Sequence, residues 1–206
     1  RLDATPETQT RMLEIIRRAY ATLPDYQKVP NFKLLELGRR DVVSERTPVS
    51  DNRGKAIANE LLFLGLFDEA TPELERAEAG NAAAGSQDFK FTLATFYKRG
   101  DMAHRAVGFI EPLWRTVPAD FQIELIPRDH AELLYPAPYV DSMLKSATPR
   151  GVDPRYVLSI MRQESRYRAD VKSNAAARGL MQFISTTSNQ IARELKRDKF
   201  SQDELY

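Results

Sequence analysis

Cysteine is absent from the 206 residues, which excludes disulfide scaffolds, thiolate zinc sites and cysteine nucleophiles together. That absence suits an oxidising compartment, where a stray thiol is a liability. Histidine is scarce: His104 and His130 are the only two, so neither a histidine-rich metal site nor a pair of histidine catalysts is expected. Both read as surface or satisfied residues. Charge of one sign is missing as well. Thirty Lys+Arg stand against 29 Asp+Glu, a net +1 that removes any whole-chain argument for nucleic acid or a polybasic membrane anchor. The longest apolar run, near 61–67, is far below the roughly 20 residues a membrane-spanning helix needs. No charged-then-apolar leader opens the chain, and Arg1-Leu2-Asp3 reads as a mature or trimmed start. No alternating run of β-branched residues long enough for a sheet is present.

What is there reads as helix almost throughout, over a core that 42% apolar content can supply. Thr5-Pro6-Glu7 is a start signal: a hydroxyl N-cap, proline at the first helical position, then an acid in the first turn. Met12, Ile15, Ile16, Ala19, Tyr20 and Leu23 follow the i, i+3, i+4 stripe of one buried face. Pro24 and Pro30 close that helix and lead into a shorter one near Phe32–Leu37. Asp51 can cap a helix carrying Ile57, Leu61 and Leu64, ended by Gly65 in left-handed conformation. Thr71-Pro72-Glu73 repeats the start signal. Ser86 opens a helix with Phe89, Leu93, Phe96 and Tyr97 that stops at Gly100, and another runs from about Asp101 to Trp114, ended or kinked at Pro112. Trp114, the only tryptophan, reads as core.

An internal echo marks this half. Leu64-Gly65-Leu66-Phe67-Asp68-Glu69-Ala70 fits the corner where two helices of a tetratricopeptide-like hairpin meet. About one repeat period later (~34 residues) comes Gly100-Asp101-Met102-Ala103-His104-Arg105-Ala106, a similar corner with one extra residue. Any helical hairpin can show this pattern, so a true repeat stays open. Either way residues 1–130 read as stacked antiparallel helix pairs, a scaffold unit, with a second unit over 131–206.

The chemistry lies after Pro136. Asp153-Pro154 starts a helix whose stripe is Val157, Ile160, Met161 and then Glu164. A carboxylate takes the fourth slot of an apolar row near the C-terminal end of the helix. Desolvation and the negative end of the helix dipole would both hold it protonated, ready to act as a general acid. On spacing alone it also reads as a boundary glutamate paired with Arg166 or Arg168.

The run Arg162-Gln163-Glu164-Ser165-Arg166-Tyr167, through Lys172-Ser173 to Gly179-Leu180-Met181-Gln182, closely resembles the soluble lytic transglycosylase family. Its Glu-Ser pair, intervening serine and Gly-Leu-Met-Gln keep the family's spacing without insertion. Tyr135-Pro136-Ala137-Pro138-Tyr139 looks like the family's lead-in segment. The likeness is weak from Leu61 and specific across 135–187. It implies an all-α protein: a superhelical, helical-repeat N-terminal region followed by part of a lysozyme-like α domain. It also implies cleavage of the β-1,4 bond between N-acetylmuramic acid and N-acetylglucosamine in peptidoglycan, with a 1,6-anhydro product.

Ordinary glycosidases use two carboxylates. Glu164 alone lies inside a matched motif here: Asp170 has no motif match, and Glu194 sits on what reads as a solvated face. By resemblance Glu164 is the single acid and base, and Ser173, Gln182 and Met181 line the cleft. Ser165 reads as a brace for Glu164 or for local backbone, Gly179 as a position needing no side chain, Leu180 as packing. Ile184 stands where many relatives carry methionine. Ser185-Thr186-Thr187 offers the hydroxyl cap of a helix bearing Ile191 and Leu195.

No metal and no cofactor are expected. The expected partner is the peptidoglycan glycan strand, with possible envelope proteins, no nucleic acid and no transmembrane segment. The family implies a bacterial envelope location, most plainly the periplasm. Residues 145–199 carry 12 Lys+Arg against 5 Asp+Glu, a local +7 suited to a polyanionic wall polymer. Two other readings stand beside this one: a goose-type-lysozyme-like hydrolase that delivers water, and a noncatalytic wall-binding scaffold. Family relatives continue past the position of Tyr206 into a second helical half, so the 206-residue span is expected to hold part of a catalytic domain, with Glu164 bordering a half-open cleft.

Overall fold

A computed structural model describes residues 5–24, 29–38, 53–118 and 121–206. Among them nine α-helices and several 3-10 turns make up the regular structure, and no strand forms; the fold is all-α. The expected cap at Asp51 lies outside the described residues. The chain divides into two compact units, Arg1–Pro136 and Ala137–Tyr206.

The first unit contains α1 (Pro6–Tyr20), α2 (Arg53–Phe63), α3 (Phe67–Glu78), α4 (Gln87–Arg99), α5 (Ala103–Ile110) and α6 (Arg128–Leu134). Its starts follow local chemistry. The Thr5 hydroxyl accepts from the Thr8 N–H ahead of Pro6, and the Ser86 hydroxyl accepts from the Phe89 N–H. The core is built from the facing sides of α2 to α6, with Ala58, Ala70, Ala94 and Ala106 wholly buried where backbones come close. Phe89, Leu93, Phe96 and Tyr97 are buried along α4 as their spacing requires, and Trp114 is buried in the 3-10 turn Glu111–Trp114 that follows α5 at Pro112.

The two helix corners share one set of bonds. Leu66 N–H donates to the Leu61 carbonyl at 3.0 Å, and Met102 N–H donates to the Tyr97 carbonyl at 2.9 Å, the closing bond of a helix C-terminus. The preceding residue is left-handed in both, Gly65 at φ +76° and Asp101 at φ +57°. Leu66 and Met102 then sit at the cap position of the next helix with nearly equal dihedrals. Gly65 therefore corresponds to Asp101. Gly100 meets a different demand, since a Cβ there would lie 2.7 Å from the Asp68 backbone nitrogen. The extra residue of the second corner lets α4 end against the start of α3.

Four expectations fail here. The stripe of α1 is not buried: Met12 and Ile15 are 47% and 59% exposed, and α1 has no buried residue. Apolar spacing states which face a helix would bury, but a neighbour must supply the burial. Residues 31–37 form no helix. Lys33 N–H donates to the Asp88 carboxylate and Leu35 N–H to the Thr92 hydroxyl, both at 2.9 Å, so this segment's backbone is held by α4 side chains. Thr71-Pro72-Glu73 does not start a helix, because the corner sets the start of α3 at Phe67 and Pro72 lies inside it. In α2 the buried residues are Ala58 and Leu62, one step round from Ile57 and Leu61; Ile57 and Leu64 are exposed.

Polar contacts join these helices. Glu75 of α3 accepts from both the Tyr97 hydroxyl and the Arg105 guanidinium. Burial and the hydrogen bond to Glu75 push the Tyr97 phenol up to about 12. Glu78, 4% exposed, is held below the usual carboxylate range by hydrogen bonds from Lys55 and Asn81. His130 of α6 is 3% exposed, stacked on Phe32 (5.2 Å between centroids), tilted on Phe91 (4.8 Å) and edge-on to Trp114 (5.5 Å). Burial lowers its imidazole from the ordinary 6.5, against a smaller opposing pull from Asp129.

The second unit contains α7 (Val140–Ser146), α8 (Pro154–Ser165) and α9 (Ser185–Glu194), with 3-10 turns at Thr148–Arg150 and Gln202–Leu205. Asp153 caps α8 by accepting from the Arg155 N–H, and the Arg155 guanidinium beside it keeps its carboxyl below the usual range. The serine-threonine cap expected for α9 is not used. The helix starts at Ser185 itself, Ile184 takes the cap position without a side-chain bond, and the Ser188 hydroxyl turns back to the Ile184 carbonyl.

Candidate active site

Helix α8 ends on Glu164-Ser165, and the chain leaves it through two left-handed residues, Arg166 (φ +49°) and Tyr167 (φ +64°). Tyr167 N–H bonds back to the Met161 carbonyl at 3.3 Å, and its ring is 3% exposed. This turn seats the helix end while Tyr167 anchors the loop that follows.

Glu164 is exposed, and among the described residues it has no ion-pair partner. The expected continuation of the buried stripe stops at Met161, the only buried residue of α8; Val157 and Ile160 are half-buried. The boundary pairing with Arg168 does not occur either, because Arg168 pairs with Asp170 at 2.8 Å. The result is a carboxylate at a helix C-terminus, open to an incoming group.

Ser165 braces this end. Its hydroxyl lies 3.0 Å from both the Met161 and the Leu180 carbonyl oxygens, and so ties α8 to the loop fifteen residues on. Gly-Leu-Met-Gln is that loop. Arg178 and Phe183 exchange backbone hydrogen bonds at 3.1 and 3.2 Å, which makes residues 179–182 the tip of a minimal hairpin. Gly179 is left-handed at φ +72° and buried, and a Cβ on it would overlap the Leu205 carbonyl oxygen. The position admits no side chain for two separate reasons.

The expected cleft residues are partly engaged in the loop itself. The Gln182 amide nitrogen donates to the Gly179 carbonyl at 2.8 Å and the Val171 carbonyl at 3.3 Å, while its side-chain oxygen has no partner among the described residues. The Ser173 hydroxyl accepts from the Ala177 N–H at 3.1 Å and keeps its proton to donate. Leu180 and Met181 are half-buried. The structure brings Glu164, Ser165 and the 179–182 loop together through the Ser165–Leu180 bond, with Ser173 on the adjoining turn. His104 lies half-buried in α5 and His130 in the core of the first unit.

Two contributors escape the sequence reading. Arg178 stands at the neck of the hairpin with its guanidinium on Asp203 and 5.4 Å over the Tyr206 ring. The turn Gln202–Leu205 presses on Gly179. One signal for it is legible: Ser201 and Glu204 form a capping box, the S-x-x-E spacing. No group of three or more His, Asp or Glu able to hold a metal ion occurs among the described residues.

Residues 141–206 match the family model described as Transglycosylase SLT domain, and the chain resembles the soluble lytic transglycosylase family. Among solved structures it is similar to the 70 kDa soluble lytic transglycosylase Slt70 from Escherichia coli, at 20% identity and TM-score 0.52 over 94% of this chain. It is also similar to the complex of the 70-kDa soluble lytic transglycosylase with bulgecin A, at 20% identity and TM-score 0.50 over 92% of this chain. At that identity the likeness is one of fold. The chain spans about a third of the length of those solved chains, 31% and 30%. No match was found among curated proteins.

Proposed function

We propose that the protein is a peptidoglycan lytic transglycosylase in which Glu164 is the only general acid and base. The observation that carries this reading is the placement of Glu164. It is an exposed carboxylate with no ion-pair partner among the described residues, set at the end of α8 and braced through Ser165 to the Gly-Leu-Met-Gln loop, inside the matched segment. Four other acids of this unit are engaged elsewhere: Asp153 with Arg155, Asp170 with Arg168, Asp203 with Arg178 and Glu204 with Arg197.

The chemistry balances with one acid. The Glu164 carboxyl gives its proton to the glycosidic oxygen as the C1–O bond breaks, and the bonding pair leaves with that oxygen. The N-acetyl carbonyl of the same sugar stabilises the electron-poor C1. The Glu164 carboxylate then takes the proton from the C6 hydroxyl, whose oxygen closes on C1 to form the 1,6-anhydro ring. No water enters. Gln182, through its side-chain oxygen, and Ser173, through its hydroxyl proton, are suited to the sugar amides and hydroxyls, and Met181 to the apolar wall. The same reading puts the protein in the bacterial envelope, with the helix-hairpin unit available to glycan strands or envelope proteins.

Mass spectrometry of peptidoglycan digested by the full-length natural protein and by its Glu164→Gln variant tests the proposal. Expected are products lighter by one water from the native protein and at least a hundredfold slower release from the variant. Hydrated ends from the native protein would instead mark a lysozyme-like hydrolase. Anhydro products from the variant at the native rate would remove Glu164 from the role.

A further inference from the structure

The turn Gln202–Leu205 and Tyr206 after it meet the hairpin that presents Leu180 and Gln182 through three separate contacts. Arg178, whose side chain is 20% exposed, reaches Asp203 with its guanidinium and covers the Tyr206 ring at 5.4 Å. The Leu205 carbonyl lies where a Gly179 side chain would begin. Gln202 donates its amide to the buried Ser188 hydroxyl, which fastens the turn to α9. The turn is itself stiffened by its capping box, since Ser201 N–H donates to Glu204 at 2.7 Å and Glu204 accepts from Arg197 at 2.6 Å.

From these contacts we infer that Gln202–Leu205 is a positioning clamp on the 178–183 hairpin, with Arg178 as its charged anchor. The consequence for Glu164 is indirect and short-range. Arg178 and Phe183 close the hairpin, Leu180 at its tip accepts from Ser165, and Ser165 follows Glu164 on the last turn of α8. The Gln182 amide is aimed by the Gly179 carbonyl, whose own residue is wedged beneath Leu205. Releasing Arg178 loosens the neck of the hairpin, and with it the carbonyl that braces the acid. Arg178 and Asp203 are positioning residues; neither needs to touch substrate. Their link to turnover rests on the transglycosylase reading, whereas the clamp itself does not.

Two measurements separate the two claims. Hydrogen exchange of the Gly179, Gln182 and Phe183 amides is followed in the chain and in Arg178→Ala, Arg178→Lys, Asp203→Asn and the Arg178→Ala/Asp203→Asn double variant, with the Leu195 amide at the end of α9 as reference. The alanine and asparagine changes are expected to speed exchange at those three sites by roughly three- to tenfold, in line with a partly exposed ion pair and a ring contact. Lysine restores part of the loss, because it keeps the charge but not the planar fork. The double variant is expected to behave like either single one. Unchanged exchange at the hairpin, or effects that simply add, would overturn the clamp. In peptidoglycan digestion by the full-length natural protein, the same variants should lower kcat by a similar factor with KM nearly constant. Faster exchange with unaltered kcat would reduce the turn to a structural role. Absence of product from the native protein would defeat the transglycosylase reading alone, leaving the exchange data to decide the clamp.

Discussion

His130 is a titratable group closed into an aromatic box, and its Nδ1 finds no hydrogen-bond partner among the described residues. Burial lowers its folded-state value below the 6.5 of the unfolded chain. Below 6.5 the unfolded state therefore binds more protons than the folded one, and stability falls as pH falls through that value toward the depressed folded one. Stability is fully present above 6.5. Thermal unfolding of the chain between pH 7.5 and 5.5 should show a falling midpoint that His130→Phe abolishes, since phenylalanine suits the box and carries no proton. An unchanged slope in that variant would assign the pH dependence elsewhere. Residue type alone left His130 open between a surface and a satisfied position, and only the fold closed Phe32 over it. The apolar spacing of 31–37 resembles a helix, yet its amides at Lys33 and Leu35 go to Asp88 and Thr92, more than fifty residues away.

The two corners that join α2 to α3 and α4 to α5 show how glycine serves different physics at similar sequence positions. Gly65 is left-handed with no atom within 4 Å of an added Cβ, so only its backbone conformation matters. Gly100 has an ordinary φ of −91° but a neighbour at 2.7 Å. Asparagine visits the left-handed region more readily than other side chains. Gly65→Asn is therefore expected to cost under about 1 kcal/mol. Gly100→Asn forces the Asp68 backbone aside and should cost roughly 1–3 kcal/mol. Urea unfolding midpoints of the two variants check this, and equal losses would refute the assignment of roles. The helix starts at Pro6, Gln87 and Pro154 were legible because a cap and its N–H partner lie within three residues. The start of α3 was not: Thr71-Pro72-Glu73 mimics a cap, but the corner had already committed the chain to helix at Phe67.

Across the whole chain the near-zero charge conceals an uneven distribution, with residues 145–199 at +7 and the remainder at −6. Under the proposed function, such a segment would attract a carboxylate-bearing wall polymer over distances comparable to the Debye length, about 10 Å at 0.1 M salt and about 3 Å at 1 M. Retention of the chain on peptidoglycan is expected to fall several-fold between roughly 0.05 and 0.5 M salt. Salt-independent retention would show that short-range contacts carry the binding instead.

Local chemistry is written in the chain itself. The helical class, the caps at Thr5, Ser86 and Asp153, and the left-handed Gly65 all depend on atoms a few bonds apart, so residue types and spacing suffice for them; Glu164, Ser165 and Gly179–Gln182 were singled out by the family resemblance. Burial and partnership are not local. The exposure of Met12, Ile15 and Glu164, the shift of the buried face of α2, and the meeting of Arg178 with Asp203 across 25 positions each depend on which other element arrives, and at what distance. A periodic stripe describes one surface, whereas burial is a property of two. Ser165 lies on the boundary between these regimes: its type and place beside Glu164 announced a brace, and the fold alone selected the Leu180 carbonyl as what it braces against.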